Sequence, residues 1–232
     1  MSENKCIADW QPRISGDDIL RLQGADPAVL RSRSPRVGRT ADHAADVGKG
    51  LIVPYMLWRR RRIADRRHEK IWFDDRSSFS GRFVATHLGH AEEVVVVVCT
   101  IGPALEGRVS DVTRSNPAFA FALEQYGILS IGLLADHVVA WIDAQAKAER
   151  TQLTERLSPG MVGWSVEPGQ RQIFRQLGEF GGGVVLTVNG YMRPRMSVSF
   201  LVGLGRNVLT AEGSPCDCCT IRERCTYRSY YG

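Results

Sequence analysis

Val94-Val95-Val96-Val97-Val98-Cys99, running into Thr100-Ile101-Gly102-Pro103, is the clearest strand in the chain. Its β-branched residues fit a pleated surface, and an unbroken apolar run means that both faces of the strand are covered. Thr100–Pro103 ends the strand, and Pro103 suits the first turn of a helix to about Val112. Beyond it, residues 118–149 read as one long helix or two stacked ones. Leu123, Tyr126, Leu133, Leu134, Val138, Trp141 and Ile142 give broad helical coverage. Gly127 and Gly132 each cost about 1 kcal/mol against alanine in a helix interior, and close packing against another element is the simplest reason to tolerate them. Asp136 and His137 interrupt the apolar stretch 126–142, so it reads as a buried helix and not as a membrane span.

Outward from this centre the signals are shorter. Residues 1–13 are polar and read as a flexible terminus. Ser15-Gly16-Asp17-Asp18 caps a short helix through Leu22, ending at Gly24. A Ser-Arg-Ser-Pro turn precedes a helix over Thr40–Val47, and Pro54 starts a short segment before Arg59-Arg60-Arg61-Arg62. That arginine run is either a solvated face or an electrostatic contact for an acidic partner. No aromatic residues interleave with it, which argues against nucleic acid. After a loop from Thr151, Pro168 opens a helix to about Leu177. Gly181-Gly182-Gly183 is a turn, and Val184–Val188 and Met196–Val202 have strand composition. The expected organisation is a terminus over 1–13, a domain over 14–210 and a cysteine-rich tail over 211–232.

The 232 residues allow one large domain or two small ones. Hydrophobic residues make up 44% and charged residues 24%, so a sizeable core is available. The net charge of +5 fits anionic partners and selects none. Glu3, Lys5 and Asp9 break up the N-terminus, with no apolar stretch behind them. The expectation is a soluble cytoplasmic protein that meets no membrane.

Two segments could carry chemistry. In Arg156-Leu157-Ser158-Pro159-Gly160-Met161, Arg156 offers a fixed charge and a fork of donors for a carboxylate or a ribose oxygen. Pro159 stiffens the loop and Gly160 lets backbone N–H groups approach a ligand. Trp164 lies just beyond and could stack on a purine; a plain turn is the alternative. The second segment holds Cys216, Cys218, Cys219 and Cys225. Clustered thiols in a cytosolic chain point to zinc or an iron–sulfur cluster, and their spacing does not choose between the two. Reduced thiols or a redox-labile pair are the alternative. Hydrolytic and nucleotide-loop motifs are absent: no Gly-x-Ser-x-Gly, His-Glu-x-x-His, Walker A or Gly-x-Gly-x-x-Gly occurs. His87 and His90 are the only close histidine pair.

Arg-x-x-x-Gly, then Leu186-Thr187, Met192-x-Pro194 and Ser197-Val198-Ser199 stand in the order found in a known family. So do Asp18-Ile19-Leu20-Arg21 with Gly24, Pro54, Thr100-Ile101-Gly102-Pro103-x-x-Glu106, Tyr126-Gly127 with Leu134-Ala135-Asp136, and Cys-x-x-Cys-x5-Cys-x-Tyr-Arg. Over roughly residues 14–229 the chain resembles the activation domain of vitamin B12-dependent methionine synthase, in its short free-standing form. The resemblance implies an α+β fold: a bent mixed or antiparallel sheet with packed helices. It also implies a job. The family binds S-adenosylmethionine and presents it to a corrinoid protein whose cobalamin has been oxidised; an electron donor reduces the cobalt and the methyl group traps it. The resemblance places ligand binding at Arg156, Gly160 and Met161, with Asp136 facing the cleft; Pro159 joins the candidate site from the reading of the loop itself. Met161 stands where the family has tyrosine, and Val202-Gly203-Leu204-Gly205 stands where full-length enzymes carry an aromatic pair. Cobalamin would belong to the partner, a corrinoid methyltransferase such as methionine synthase. A metal or iron–sulfur redox protein that donates electrons to a corrinoid partner is the second reading. An interaction protein that kept the fold and lost the ligand is the third. Whether the chain is itself an enzyme is left open.

Overall fold

The valine run is the middle of the sheet, as its composition predicts. In a computed structural model that describes residues 2–7, 10–178, 183–208 and 222–224, it lies within strand β5 (Glu93–Thr100). Before it in the chain come β1 (Ser2–Cys6), helices α1 (Gly16–Leu22), α2 (Pro27–Arg33) and α3 (Pro35–Lys49), then β2 (Tyr55–Arg67), β3 (Lys70–Phe73), β4 (Ser78–Ser80) and α4 (Arg82–His87). After it come α5 (Ala104–Val112), α6 (Pro117–Ala148), β6 (Gln152–Leu153), α7 (Val166–Leu177), β7 (Val185–Leu186), β8 (Met192–Arg193) and β9 (Ser197–Gly205). The main sheet runs β4-β3-β2-β5-β9-β6, with β1 added to β2, and every pairing is antiparallel. The fold is α+β with an antiparallel sheet.

Period-two alternation sends the run to two cores. Val95, Val97 and Cys99 face one side, against α1, α3, α5 and α6, together with Phe200 and Val202 of β9. Val94, Val96 and Val98 face the other, against the β3–β4 hairpin, α4 and α7, together with Leu201. A strand sandwiched this way has no face left for polar residues. The long apolar segment is one helix, α6. It is apolar and long enough to cross a membrane, yet 61% of its most apolar window is buried inside the protein, as expected of a core helix. Gly127 is where α6 meets Leu105 and Met196 closely.

Local signals act as expected at α1. Ser15 caps it in a capping box with Asp18, and Gly24 takes a positive φ after its end. Elsewhere the structure departs from the sequence reading. The polar terminus is not irregular: Ser2–Cys6 pairs with Arg59–Tyr55 as an edge strand, held by backbone bonds that need no apolar side chains. The helix expected over Thr40–Val47 starts at Pro35, and α2 precedes it, capped by Asp26. The segment after Pro54 is a 13-residue strand that absorbs the arginine run. Alternation places Arg60 on the α6 face, where it pairs with Glu93 and with Glu149 at 2.6 Å. Arg59 donates to the Gln176 carbonyl at 2.8 Å, among the last carbonyls of α7, and Arg61 pairs with Asp75 at 2.8 Å. Neither sequence reading of the run describes these three internal ties. The helix expected from Pro168 begins at Val166, and the strand expected over Val184–Val188 is the two-residue β7, paired with β8.

Candidate functional site

After β6 the backbone continues along the free edge of β9. Thr154 N–H donates to Gly203 at 2.9 Å, and Leu157 exchanges two hydrogen bonds with Leu201, each 2.9 Å. The alternation that buries Leu157 in the α7-side core turns Arg156 to the α6 side. There its guanidinium lies 5.7 Å from the centre of the Phe200 ring. Its Nη1 donates to Asp136 Oδ1 of α6 at 3.1 Å. Arg156 is 22% exposed and Asp136 57%, so the charge pair sits at the rim with an aromatic floor beneath it. The structure thus brings together Arg156 and Asp136, which are 20 residues apart in the chain. Phe200 was not singled out in the sequence; only the pairing of 154–157 with β9 reveals its role. Cys99 also faces this side. Burial pushes its thiol well above the ordinary range, and the nearby Arg156 charge opposes that without reversing it.

The loop beyond is folded on itself. Met161 N–H donates to the Ser158 carbonyl at 3.2 Å, and Gly160 N–H to the Trp164 carbonyl at 2.7 Å. Gly160 has φ of +105°, a conformation that disfavours any side chain. Met161 is buried, and its sulfur accepts from Ser158 N–H at 3.3 Å. The Met161 side chain thus folds back on its own loop. Pro159 packs over Gly169 of α7, where an added Cβ would come within 3.0 Å of the ring. Trp164 is not available to stack on a purine: it is buried in the α7-side core, edge-on to Phe79 at 6.3 Å. The turn closed by Gly160 and Trp164 rotates the indole inward.

Other motif residues hold the frame around this loop. Glu106, in the first turn of α5, accepts from Arg193 Nη1 at 2.8 Å, from Arg195 N–H at 2.8 Å and from Arg195 Nε at 3.2 Å. Thr100 Oγ1 donates to the Met196 carbonyl at 3.2 Å and accepts from Gly102 N–H. Ser199 donates to Gln170 of α7 at 2.7 Å, a buried polar pair. The sequence marks Thr100–Glu106, Met192–Pro194 and Ser197–Ser199 separately; in the structure they form one joint. His87 is tied to the Phe83 carbonyl at 2.7 Å and to Glu155 at 3.2 Å, so it braces the residue before Arg156 instead of pairing with His90.

Cys216, Cys218, Cys219 and Cys225 lie outside the described residues. Among the described residues no group of three or more His, Cys, Asp or Glu could hold a metal ion. What the rim offers is recognition chemistry: a fixed cation, a carboxylate and an aromatic floor.

No protein-family profile matches the sequence, and no curated protein matches it. The fold does match a solved structure, the crystal structure of the MetH reactivation domain bound to AdoHcy. The TM-score is 0.62 at 11% sequence identity, covering 94% of this chain and 83% of that one. At this identity the likeness is one of fold.

Proposed function

We propose that the chain binds S-adenosylmethionine at the Arg156–Asp136 rim and supports the reductive methylation of a corrinoid-dependent methyltransferase, methionine synthase being the first candidate. The observation that carries the reading is the 3.1 Å pair of Arg156 with Asp136 above Phe200, in a fold similar to a reactivation domain whose crystal structure holds AdoHcy. The amino-acid end of such a ligand is a zwitterion. Its carboxylate matches the guanidinium fork and its ammonium matches the Asp136 carboxylate. The two side chains satisfy each other across the rim, so a zwitterion can enter by replacing one ion pair with two. Gly160 supplies a stretch of backbone with no Cβ over it.

In this reading the bound ligand supplies an electrophilic methyl group, and the chain's residues only hold and orient it. No strong acid or base is required of them. Cobalamin is held by the partner, and an electron donor acts on that partner in a cytoplasmic setting. The four cysteines of the tail make a separate proposal, a zinc or iron–sulfur site, tested by zinc, iron and sulfide assays on anaerobically purified protein.

Calorimetric titration with S-adenosylmethionine and S-adenosylhomocysteine tests the site. Arg156→Ala removes a charge-assisted contact worth about 1.5–3 kcal/mol, a loss of roughly 10-fold or more in affinity. Arg156→Lys keeps the charge but not the fork and is expected to fall between. Equal affinity for all three proteins would place any ligand elsewhere. The role is tested by adding the chain, S-adenosylmethionine and a reductant to an oxidised corrinoid methyltransferase; activity that returns equally well without the chain refutes it.

A further inference from the structure

Strand β4 is the outermost of the main sheet, and its free edge looks onto α7 across a cleft of about 380 Å3. That volume is at the small end of the range for ligand clefts. Ser78 and Ser80 line one wall, and Glu167, Arg171, Gln172 and Arg175 line the other. None of these residues belongs to the Arg156 rim.

The ladder fixes which backbone groups reach the cleft. Phe73 N–H donates to the Ser77 carbonyl and Gly81 N–H to the Glu69 carbonyl, each at 2.9 Å. In an antiparallel pair, the residues that alternate with such bonded ones turn their N–H and C=O groups to the outer edge. Ser78 and Ser80 are therefore the outward residues of β4. Ser80 N–H is taken by Gln172 Oε1 of α7 at 2.8 Å. Ser78 N–H, two residues back on the same edge, has no partner among the described residues. A backbone N–H only donates, so the bond from Ser80 identifies the oxygen of the Gln172 amide and leaves its NH2 group as an unpaired donor beside the cleft. The hydroxyls of Ser78 and Ser80 likewise make no hydrogen bond among the described residues.

The charges set the sign of the occupant. Arg171 is engaged by Glu167 at 3.1 Å and by the Val188 carbonyl at 2.6 Å. Arg175, one turn further along α7, meets no carboxylate among the described residues. Two arginines against one glutamate leave the lining with one positive charge. The strand and the helix thus offer N–H and O–H donors from two sides, with a net cation and no unpaired carboxylate. Such a set suits an oxyanion. Donors on facing walls reach oxygens that do not lie in one plane, which a tetrahedral anion presents and a planar carboxylate does not.

We propose that the cleft between β4 and α7 binds a tetrahedral oxyanion, as free phosphate or as the phosphoryl group of a small molecule. Ser78 N–H and the Gln172 NH2 group are the donors, and Arg175 supplies the counter-charge.

Inorganic phosphate, glycerol 3-phosphate and acetate are titrated at constant ionic strength into the full chain, by calorimetry and by the resonances of the Ser78 amide and the Gln172 NH2 group. Both phosphates are expected to saturate and to move the two resonances; acetate is expected to bind more weakly. Tighter binding of glycerol 3-phosphate assigns the cleft to a phosphomonoester, and equal binding assigns it to free phosphate. Arg175 is exposed, so Arg175→Ala should fold, and it is expected to weaken phosphate about tenfold or more, the worth of a charge-assisted hydrogen bond. Gln172→Glu keeps the acceptor for Ser80 N–H, removes the NH2 donor and adds a negative charge, so it is expected to abolish binding. Acetate that binds as tightly as phosphate, affinity unchanged in Arg175→Ala, or no saturable binding overturns the proposal. Phosphate binding lost in Arg156→Ala and kept in Arg175→Ala places the anion at the other rim and overturns it as well. None of these outcomes involves S-adenosylmethionine, so this proposal and the Arg156 reading stand or fall separately.

Discussion

Gly48 sits near the end of α3 with the Tyr126 ring of α6 directly above it. A Cβ built there would come within 2.6 Å of Cε1 and 2.7 Å of Cγ, with Cδ1 closer still. Carbon atoms prefer about 3.5–4.0 Å, so ring and helix must separate by roughly an ångström. The ring cannot yield cheaply. Tyr126 is fully buried, and the next residue, Gly127, already abuts Leu105 and Met196. The α3 face beside it is built from Ala41, Ala44 and Ala45, so widening the seam loses contact along its length. In Gly48→Ala, helix propensity returns about 1 kcal/mol and overpacking costs about 1–3 kcal/mol. Because the obstacle is a buried ring, the upper end of that cost applies, and the net is a destabilisation of about 1–2 kcal/mol. For a chain of this size that lowers the melting temperature by about 2–8 °C. Gly107 is the control. It lies on the exposed face of α5, with nothing within 4 Å of a built Cβ. Gly107→Ala is therefore expected to stabilise by about 0.5–1 kcal/mol. Urea midpoints and thermal scans on both variants settle the matter. If the two substitutions shift stability in the same direction, the close α3–α6 seam is wrong.

Gly160→Ala forces a side chain into φ of +105° and sets its Cβ 3.3 Å from Val166; a loss of about 1–3 kcal/mol in urea unfolding is expected, and an unchanged midpoint contradicts the loop geometry. Glu106→Ala strips the acceptor shared by Arg193 and Arg195. It should cost about 1–3 kcal/mol and raise hydrogen exchange at the Arg195 amide; protection equal to the parent's would refute the joint. Acid should destabilise the fold. The hydrogen bonds from Arg31 hold Asp42 below the ordinary carboxylate range, and those from Arg60 do the same for Glu149. The unfolded chain then binds more protons, so this stability is present above the unfolded carboxylate value near pH 4 and is lost as pH falls through the lower folded values. A urea midpoint that stays constant from pH 6 to pH 3 would falsify that account.

Features governed by local chemistry were legible in the sequence. Double-sided burial leaves an unbroken apolar run, so Val94–Cys99 identified the central strand. Capping leaves a Ser-x-x-Asp signature, so α1 was placed from Ser15 to Gly24. Elements satisfied at a distance were not legible. In β2, Arg59 and Arg60 resemble a solvated face, because their partners lie far along the chain: Glu93 and Glu149 for Arg60 are 33 and 89 residues away, and Gln176 for Arg59 is 117 away. An edge strand such as β1 needs only backbone bonds on one side, so its side chains carry no period. Trp164 was misjudged for a related reason. A loop tryptophan beside a glycine is aimed by its turn, and here the turn aims it at Phe79.

The candidate site divides along the same line. Asp136 stood out because a carboxylate in an apolar helix demands a reason, and Arg156 because a fixed cation before Pro-Gly suits a ligand loop. Their meeting required the register of 154–157 on β9, which neither residue encodes. Several of the motifs near them serve as framework: Glu106 pins the turn before β9 and Ser199 ties that strand to Gln170. Under the proposed function, stability and recognition are carried by different residues. Substitutions at Glu106 and Ser199 should change unfolding midpoints in step with any loss of binding. Arg156 contributes only a rim ion pair, worth about 0–1 kcal/mol to folding, so its loss should change binding far more than stability.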